Sequence, residues 1–340
     1  KREKLGKTLS LIAKNGPNIF YEGDIAEAIS KATKNILTNE DIKNFKSKWV
    51  SPLSIDLYGK TGWVTPPHTQ SYLTLATLKA YEIITNSSKD FNPHVLIECY
   101  RSLAADRDHI TYDYGDKIDS FIGLDFDYIK SKALEIDVNQ TSLFKSPENL
   151  GSGTAYMAVK DEGGNAVSLI QSNFYGIGST IGVSDYGFFL HNRGAGFNLI
   201  ENHPNKIAPL RKPLHTLSPT IWSKDGKLDM VIGTRGGRYQ PQLLSQFILP
   251  LLLESSSLEQ VMKKSRWTID YFDEHTESHL IFEPGTDKAI IKDLEQKGHN
   301  IKIEKSMQGS YGPISAICKD NNGQWSGVAD SRVETSKAIY

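Results

Sequence analysis

The sequence is short of the features that mark several large protein classes. Only two of its 340 residues are cysteine, Cys99 and Cys318. Two thiols make no framework of the kind that staples small secreted domains. Whether this pair bridges stays open, and the low usage leans towards a reducing compartment, the cytoplasm. No apolar run approaches 18 residues, so no membrane-spanning helix is expected. The longest such run, residues 247–253, is interrupted by Pro250. The net charge is −1 and the Lys and Arg residues are scattered. That excludes a nucleic-acid footprint and a general attraction to anionic membranes. Internal repeats and low-complexity tracts are missing as well. The nine histidines are dispersed. His275 and His279 stand four apart, a helical spacing, but lack the acidic partner of a zinc-protease motif. No glycine-rich phosphate loop follows a strand, so neither a metal nor a cofactor is expected.

What is present suits a globular protein of one large domain or two intimate ones. Apolar residues make up 39% and charged residues 23%, a balance far from disorder. Helical spacing runs over residues 5–14 and stops at Asn15-Gly16-Pro17. It returns over 25–37, after which Thr38 reads as an N-cap with acidic residues in the first turn. Residues 52–66, with Gly59 and Gly62, read as a hairpin. Pro66-Pro67-His68-Thr69-Gln70 then leads into a helix over 72–84. A second helix starts at Pro93 and runs to Asp106, and a third covers 126–134. Asp106-Arg107-Asp108 reads as a solvated charge cluster. The later half carries strand-like runs at 187–191, 220–223 and 230–233, then helices at 242–254 and 258–265. That order suits a layered sheet covered by helices.

The chemistry centres on Gly151 to Ser172. Two β-prone runs flank Glu162-Gly163-Gly164-Asn165, a hairpin with glycine at its tip. The first run opens with Thr154, directly after Gly151-Ser152-Gly153. A β-branched residue at a strand start is ordinary filler. Cutting the peptide bond before Thr154 changes that. The residue then carries both a hydroxyl nucleophile and a free α-amine, whose pKa of about 7.7–8.0 suits a general base near neutral pH. The same hydroxyl can make the cut by attacking the Gly153 carbonyl, which glycine leaves open.

Thr154, Asp161, Gly164-Asn165-Ala166-Val167-Ser168 and Gly176-Ile177-Gly178-Ser179 together resemble the start of the small subunit of γ-glutamyltranspeptidases. These are self-cleaving N-terminal nucleophile hydrolases, and the similarity runs from about Leu5 to Tyr340. The resemblance implies an α/β fold, the four-layer αββα sandwich. It implies that residues 1–153 are the C-terminal part of a large subunit whose upstream portion is expected before Lys1. Residues 154–340 are then the small subunit, and residues 137–153 the end released by the cut. Thr154 is the implied nucleophile and Ser172 matches a threonine that orients it. Gly236 and Gly237 match the pair whose amides form the oxyanion hole. Ala329-Asp330-Ser331-Arg332 matches the family's closing motif, read as structural.

The substrate side departs from the family. His215 and Thr216 stand where two serines bind the substrate carboxylate, so one hydroxyl survives. Phe174 replaces a substrate-binding Asn. In the stretch His191-Asn192-Arg193-Gly194-Ala195-Gly196-Phe197, Arg193 and Gly196 replace the Gln and Asp that grip the substrate α-amino group. An ammonium facing Arg193 instead of an acid would be costly in a buried pocket. Arg193 suits a carboxylate, bound in bidentate fashion. The pattern resembles the branch of γ-glutamyltransferase-like and cephalosporin-acylase-like proteins. Three readings stand. One is a hydrolase or acyltransferase of γ-glutamyl or related acyl amides, with water or an amine as acceptor. Another is an acylase for dicarboxylate-type amides. The last is a non-catalytic descendant that binds a partner. The subunits would come from one precursor and assemble as a homo-oligomer.

Overall fold

The computed structural model describes residues 1–142, 144, 154–254, 256–271, 278–309, 312–334 and 337. Two compact units emerge, residues 1–50 with 173–193, and residues 51–172 with 194–340. Neither boundary falls before Thr154; the larger unit draws chain from both sides of that point.

The smaller unit is mainly helical, with Glu3–Asn15 and Asp24–Ala32 as its longer helices. Ile25, Ile29 and Val183 form its buried centre. The helical spacing over 25–37 is cut at Ala32. Lys34 and Asn35 take positive φ, and the Asn35 N–H caps the Ser30 carbonyl. Asn tolerates that left-handed turn, which a helix cannot continue through. Thr38 forms the expected cap, exchanging hydrogen bonds with Asp41. The run over 187–191 yields just two paired residues, Phe188–Phe189 against Gly182–Val183.

The larger unit is built on a six-stranded antiparallel sheet. Its order across is Leu53–Leu57, Lys60–Val64, Thr220–Lys224, Lys227–Thr234, Ile314–Lys319 and Trp325–Ala329. Helices Tyr72–Ile84, Pro93–Ala105, Phe126–Leu134 and Gln240–Leu252 pack into one core with it. Gly62 leaves the space that the Trp222 ring and Leu75 fill against the sheet.

The 227–234 strand explains the layering. Residues 229–234 are all buried, the pattern of a strand covered on both faces. Met230 and Ile232 join the helix-side core. Gly233, alternating with them, meets the ring of Tyr156 from the hairpin Thr154–Lys160 and Ala166–Ser172. The layers are therefore helices, sheet and hairpin. The hairpin's outer face exposes Met157, Val159, Val167 and Leu169.

Three findings correct the sequence reading. Arg107 is fully buried rather than solvated, paired with Asp108 at 2.8 Å. His279 lies in a strand, Ser278–Phe282, of a three-stranded sheet with Trp267–Tyr271 and Ile301–Ile303, so its helical spacing has no meaning. His275 lies outside the described residues. Further strands at 314–319 and 325–329, and a helix at Lys288–Gln296, went unread in the sequence. Asp330 and Arg332 join buried ion pairs, Arg266–Asp330 and Arg332–Glu283, both at 2.5 Å.

Candidate active site

Thr154 opens its strand and pairs in register with Ser172, the last residue of the returning strand. Alternation puts Thr154 on the same hairpin face as Tyr156, which faces the large sheet, and Thr154 is accordingly buried. Tyr156 fixes the hairpin's seat. A Cβ on Gly233 would stand 2.0 Å from its ring. Its hydroxyl bonds Ser168 across the hairpin at 2.8 Å, and burial pushes the phenol well above its usual range. The two residues most directly assigned to nucleophilic chemistry, Thr154 and Ser172, are thus brought together. Gly153 lies outside the described residues.

Gly236 follows Gly233 by three residues. At most about 10 Å of chain separates the glycine beneath Tyr156 from the assigned oxyanion pair. Gly236 and Gly237 have φ of 127° and 56°, values that favour glycine. They lead through the turn Gly237–Tyr239 into the helix Gln240–Leu252. Amides at this end of a helix lie at the positive pole of its dipole, suited to a developing negative charge.

Gln70 ties this turn to the substrate loop. Its Nε2 donates to the carbonyls of Gly237 and Thr216, both at 3.1 Å. Arg107 donates to its Oε1 at 3.4 Å. Both side chains are fully buried. The sequence placed Gln70 in a segment leading into a helix but gave it no role, and it misread Arg107. The one available signal was a polar residue just before the apolar helix Tyr72–Ile84.

The loop carrying His215 and Thr216 is held at several points. The His215 N–H donates to the His68 carbonyl, and its own carbonyl accepts from the Gln70 N–H, each at 2.9 Å. Gln240 accepts from the Ser218 N–H at 2.9 Å. Thr216 is buried. Gly196 packs against the same loop, and a Cβ there would stand 2.5 Å from the Leu214 carbonyl oxygen. Asn205 locks the approach, donating to the Gly196 carbonyl and accepting from the Leu214 N–H. The position that carries an acid in the family pattern has no room for a side chain here.

The remaining assigned residues belong to the smaller unit. Phe174 is fully buried at φ 78°, and the Arg193 guanidinium lies over its ring at 4.4 Å from the centroid. Burial lowers the Arg193 pKa to about 10, which leaves it cationic at neutral pH. Burial, then the Arg193 charge, lowers His191, whose Nδ1 accepts the Arg193 N–H at 3.1 Å. The Asn192 side-chain oxygen accepts from the Tyr175 N–H at 3.0 Å. Among the described residues, no three His, Cys, Asp or Glu side chains converge as metal ligands.

Comparison with known proteins extends this picture. The chain is 35% identical over 342 residues to the glutathione hydrolase-like YwrD proenzyme of Bacillus subtilis, covering 97% of this chain and 64% of that protein. It is 29% identical over 343 residues to the oxamate amidohydrolase proenzyme of Klebsiella pneumoniae, covering 99% and 65%. The crystal structure of cephalosporin acylase from Bacillus halodurans matches with a TM-score of 0.83 at 27% identity, over 97% of this chain and 61% of that one. The chain thus spans a little under two thirds of the length of these relatives. The fold is the αββα sandwich of N-terminal nucleophile hydrolases. Its described residues supply one helical layer, the large sheet and a hairpin of the second sheet. With the model of the gamma-glutamyltranspeptidase family matching residues 1–340, the chain belongs to that family.

Proposed function

We propose that the protein is a self-cleaving amide hydrolase or acyltransferase with Thr154 as its nucleophile. The observation that carries this is Thr154, buried at the start of its strand with Ser172 as its register partner. In self-cleavage the Thr154 hydroxyl attacks the Gly153 carbonyl. The hydroxyl proton passes to the departing Thr154 nitrogen, and an ester replaces the amide. Water then hydrolyses the ester, leaving a carboxylate on Gly153 and a free α-amine on Thr154. In turnover that amine takes the hydroxyl proton as the oxygen attacks the substrate amide, and passes it to the leaving amine. Ser172 orients the hydroxyl. The Gly236 and Gly237 amides hold the oxyanion. Water, or an amine acceptor, then releases the acyl group, and hydrolysis is the default outcome. The large and small subunits come from one precursor.

The acyl group remains that of γ-glutamyl or related amides, and one observation favours a carboxylate-bearing acyl group without an α-amino group. Gly196 lacks both the acid and the space for one, while Arg193 is a buried cation. On the sequence pattern Arg193 takes the substrate carboxylate, with Phe174 beneath it; Asn192, His215 and Thr216 are the further substrate-binding assignments of that pattern. The name of one relative, an oxamate amidohydrolase, agrees with such an acyl group. The cytoplasm, where Cys99 and Cys318 remain thiols, and a homo-oligomeric state complete the reading.

Intact mass and N-terminal sequencing of the purified protein beside Thr154→Ala test the core of it. Two fragments, one beginning at Thr154, with the variant uncut, are expected. One uncut chain in both would overturn the mechanism and leave a non-catalytic binding protein. For the acyl group, Arg193→Met is expected to raise KM at least about tenfold for carboxylate-bearing amides, and Arg193→Lys less. Equal loss on neutral amides would refute the carboxylate role.

A further inference from the structure

The chain upstream of Thr154 is seated in a buried polar cluster that the proposed chemistry does not use. Glu98 lies in the middle of the helix Pro93–Ala105 and is fully buried. Its two oxygens accept from Arg101 Nη1 at 2.7 Å, from the Thr141 hydroxyl at 3.1 Å and from the Ser142 N–H at 2.9 Å. Arg101 Nη1 also donates to the Thr141 hydroxyl, so that hydroxyl is donor and acceptor at once. The Arg101 guanidinium lies 5.7 Å from the centroid of the Phe144 ring. The Thr141 N–H donates to the Lys297 carbonyl at 2.8 Å. Behind these, His94 Nε2 donates to the Asp137 carbonyl at 3.0 Å, and His94 Nδ1 meets His299 Nε2 at 2.8 Å.

We propose that Glu98 is a positioning residue for self-cleavage: with Arg101 it grips Thr141 and Ser142 and so fixes the upstream arm that must present its carbonyl to Thr154. The proposal rests on the self-cleavage reading and deepens it. A buried ion pair is a poor device for stability alone, since well-packed apolar side chains of the same volume do as well or better. What Glu98 and Arg101 add is direction: their bonds to the arm are charge-assisted and specify one seat for it.

Loop entropy does not explain the grip. Moving the last anchor from the end of the helix Phe126–Leu134 to Ser142 shortens the chain length to Thr154 by less than half. That contributes under about 0.6 kcal/mol. Orientation is the larger lever, because a misplacement of about 1 Å at a reacting carbonyl can cost roughly 100-fold in rate. Thr154 is fixed from the other side by its pairing with Ser172. The two anchors, Ser142 and Thr154, flank the stretch of chain that carries the scissile bond.

The experiment measures the rate of fragment formation by intact mass in wild type, Glu98→Gln, Thr141→Val and Thr141→Ser. Thr141→Val leaves the Glu98–Arg101 pair intact, so it remains informative if Glu98→Gln folds poorly. Cleavage is expected to slow on the order of tenfold in Thr141→Val and more in Glu98→Gln, as charge-assisted bonds to the arm are lost. Thr141→Ser is expected to restore the wild-type rate. The slowing should persist well below each variant's Tm, and hydrolysis per cleaved molecule should stay at the wild-type level. Wild-type cleavage rates in both slowed candidates would overturn the proposal and leave self-cleavage standing. So would a slowing that vanishes at low temperature. A wild-type protein that never cuts would overturn both readings.

Discussion

Lowering the pH from 7 to 5 is expected to remove about 2 kcal/mol of stability through His299 alone. The reasoning starts from the hydrogens. The Asp137 carbonyl can only accept, so His94 Nε2 carries its hydrogen and neutral His94 offers Nδ1 as an acceptor to His299 Nε2–H. Burial above all, with the positive charges of Arg101 and Lys297, holds the His299 pKa down to about 3, against a partly opposing Asp293. In the unfolded chain it sits near 6.5. Between these values the unfolded state binds a proton that the folded state refuses. Stability is therefore full above pH 6.5 and falls as the pH drops towards 3, by up to about 1.4 kcal/mol per unit. The assay is urea unfolding of the uncut Thr154→Ala chain at pH 7 and pH 5, with and without His299→Gln. Glutamine still offers an N–H to His94 but does not titrate. Carboxylates common to both chains cancel in the difference. The stability gap between them is expected to move by about 2 kcal/mol between the two pH values, against the histidine chain. A gap that stays constant would refute a neutral, buried His299.

Two further perturbations probe the site. Gly233→Ala drives a methyl into the Tyr156 ring, whose nearest atom stands 2.0 Å from the Cβ position. It is expected to destabilise by about 1–3 kcal/mol, read as a lower Tm, with part of the loss recovered in a Tyr156→Leu background; an unchanged Tm would mean the hairpin does not sit on the sheet there. Gln70→Leu leaves the Gly237 and Thr216 carbonyls without their shared donor. It is expected to lower kcat/KM about tenfold or more by loosening the oxyanion turn. A wild-type kcat/KM would separate Gln70 from that turn.

Much of the fold was legible because its signals are local. The helices Tyr72–Ile84 and Phe126–Leu134 and the hairpin from Thr154 to Ser172 declare themselves by periodicity, caps and a glycine tip. Thr154 was singled out by its Gly-Ser-Gly approach together with the family resemblance, and the structure adds its register pairing with Ser172. What stayed hidden is what depends on partners far along the chain. Asp106-Arg107-Asp108 has the composition of a solvated cluster, and nothing local says that Arg107 is buried against Gln70. Among the described residues the strands at 267–271, 278–282 and 301–303 pair only with one another, late in the chain, and are separated by 6 and 18 residues, too many for a two-residue hairpin turn. Glu98 and Arg101 stood out in no sequence motif, and the helix that carries them turns out to be buried almost all round. Gly196 shows the converse case. As a sequence difference it removes an acid; the structure adds that the Leu214 carbonyl fills the place where any side chain would go. Placing an acid at this position would therefore take more than Gly196→Asp. Leu214 and the Asn205 bonds that hold it would have to move as well, so that substitution alone is expected to cost stability without gaining binding of an α-amino group.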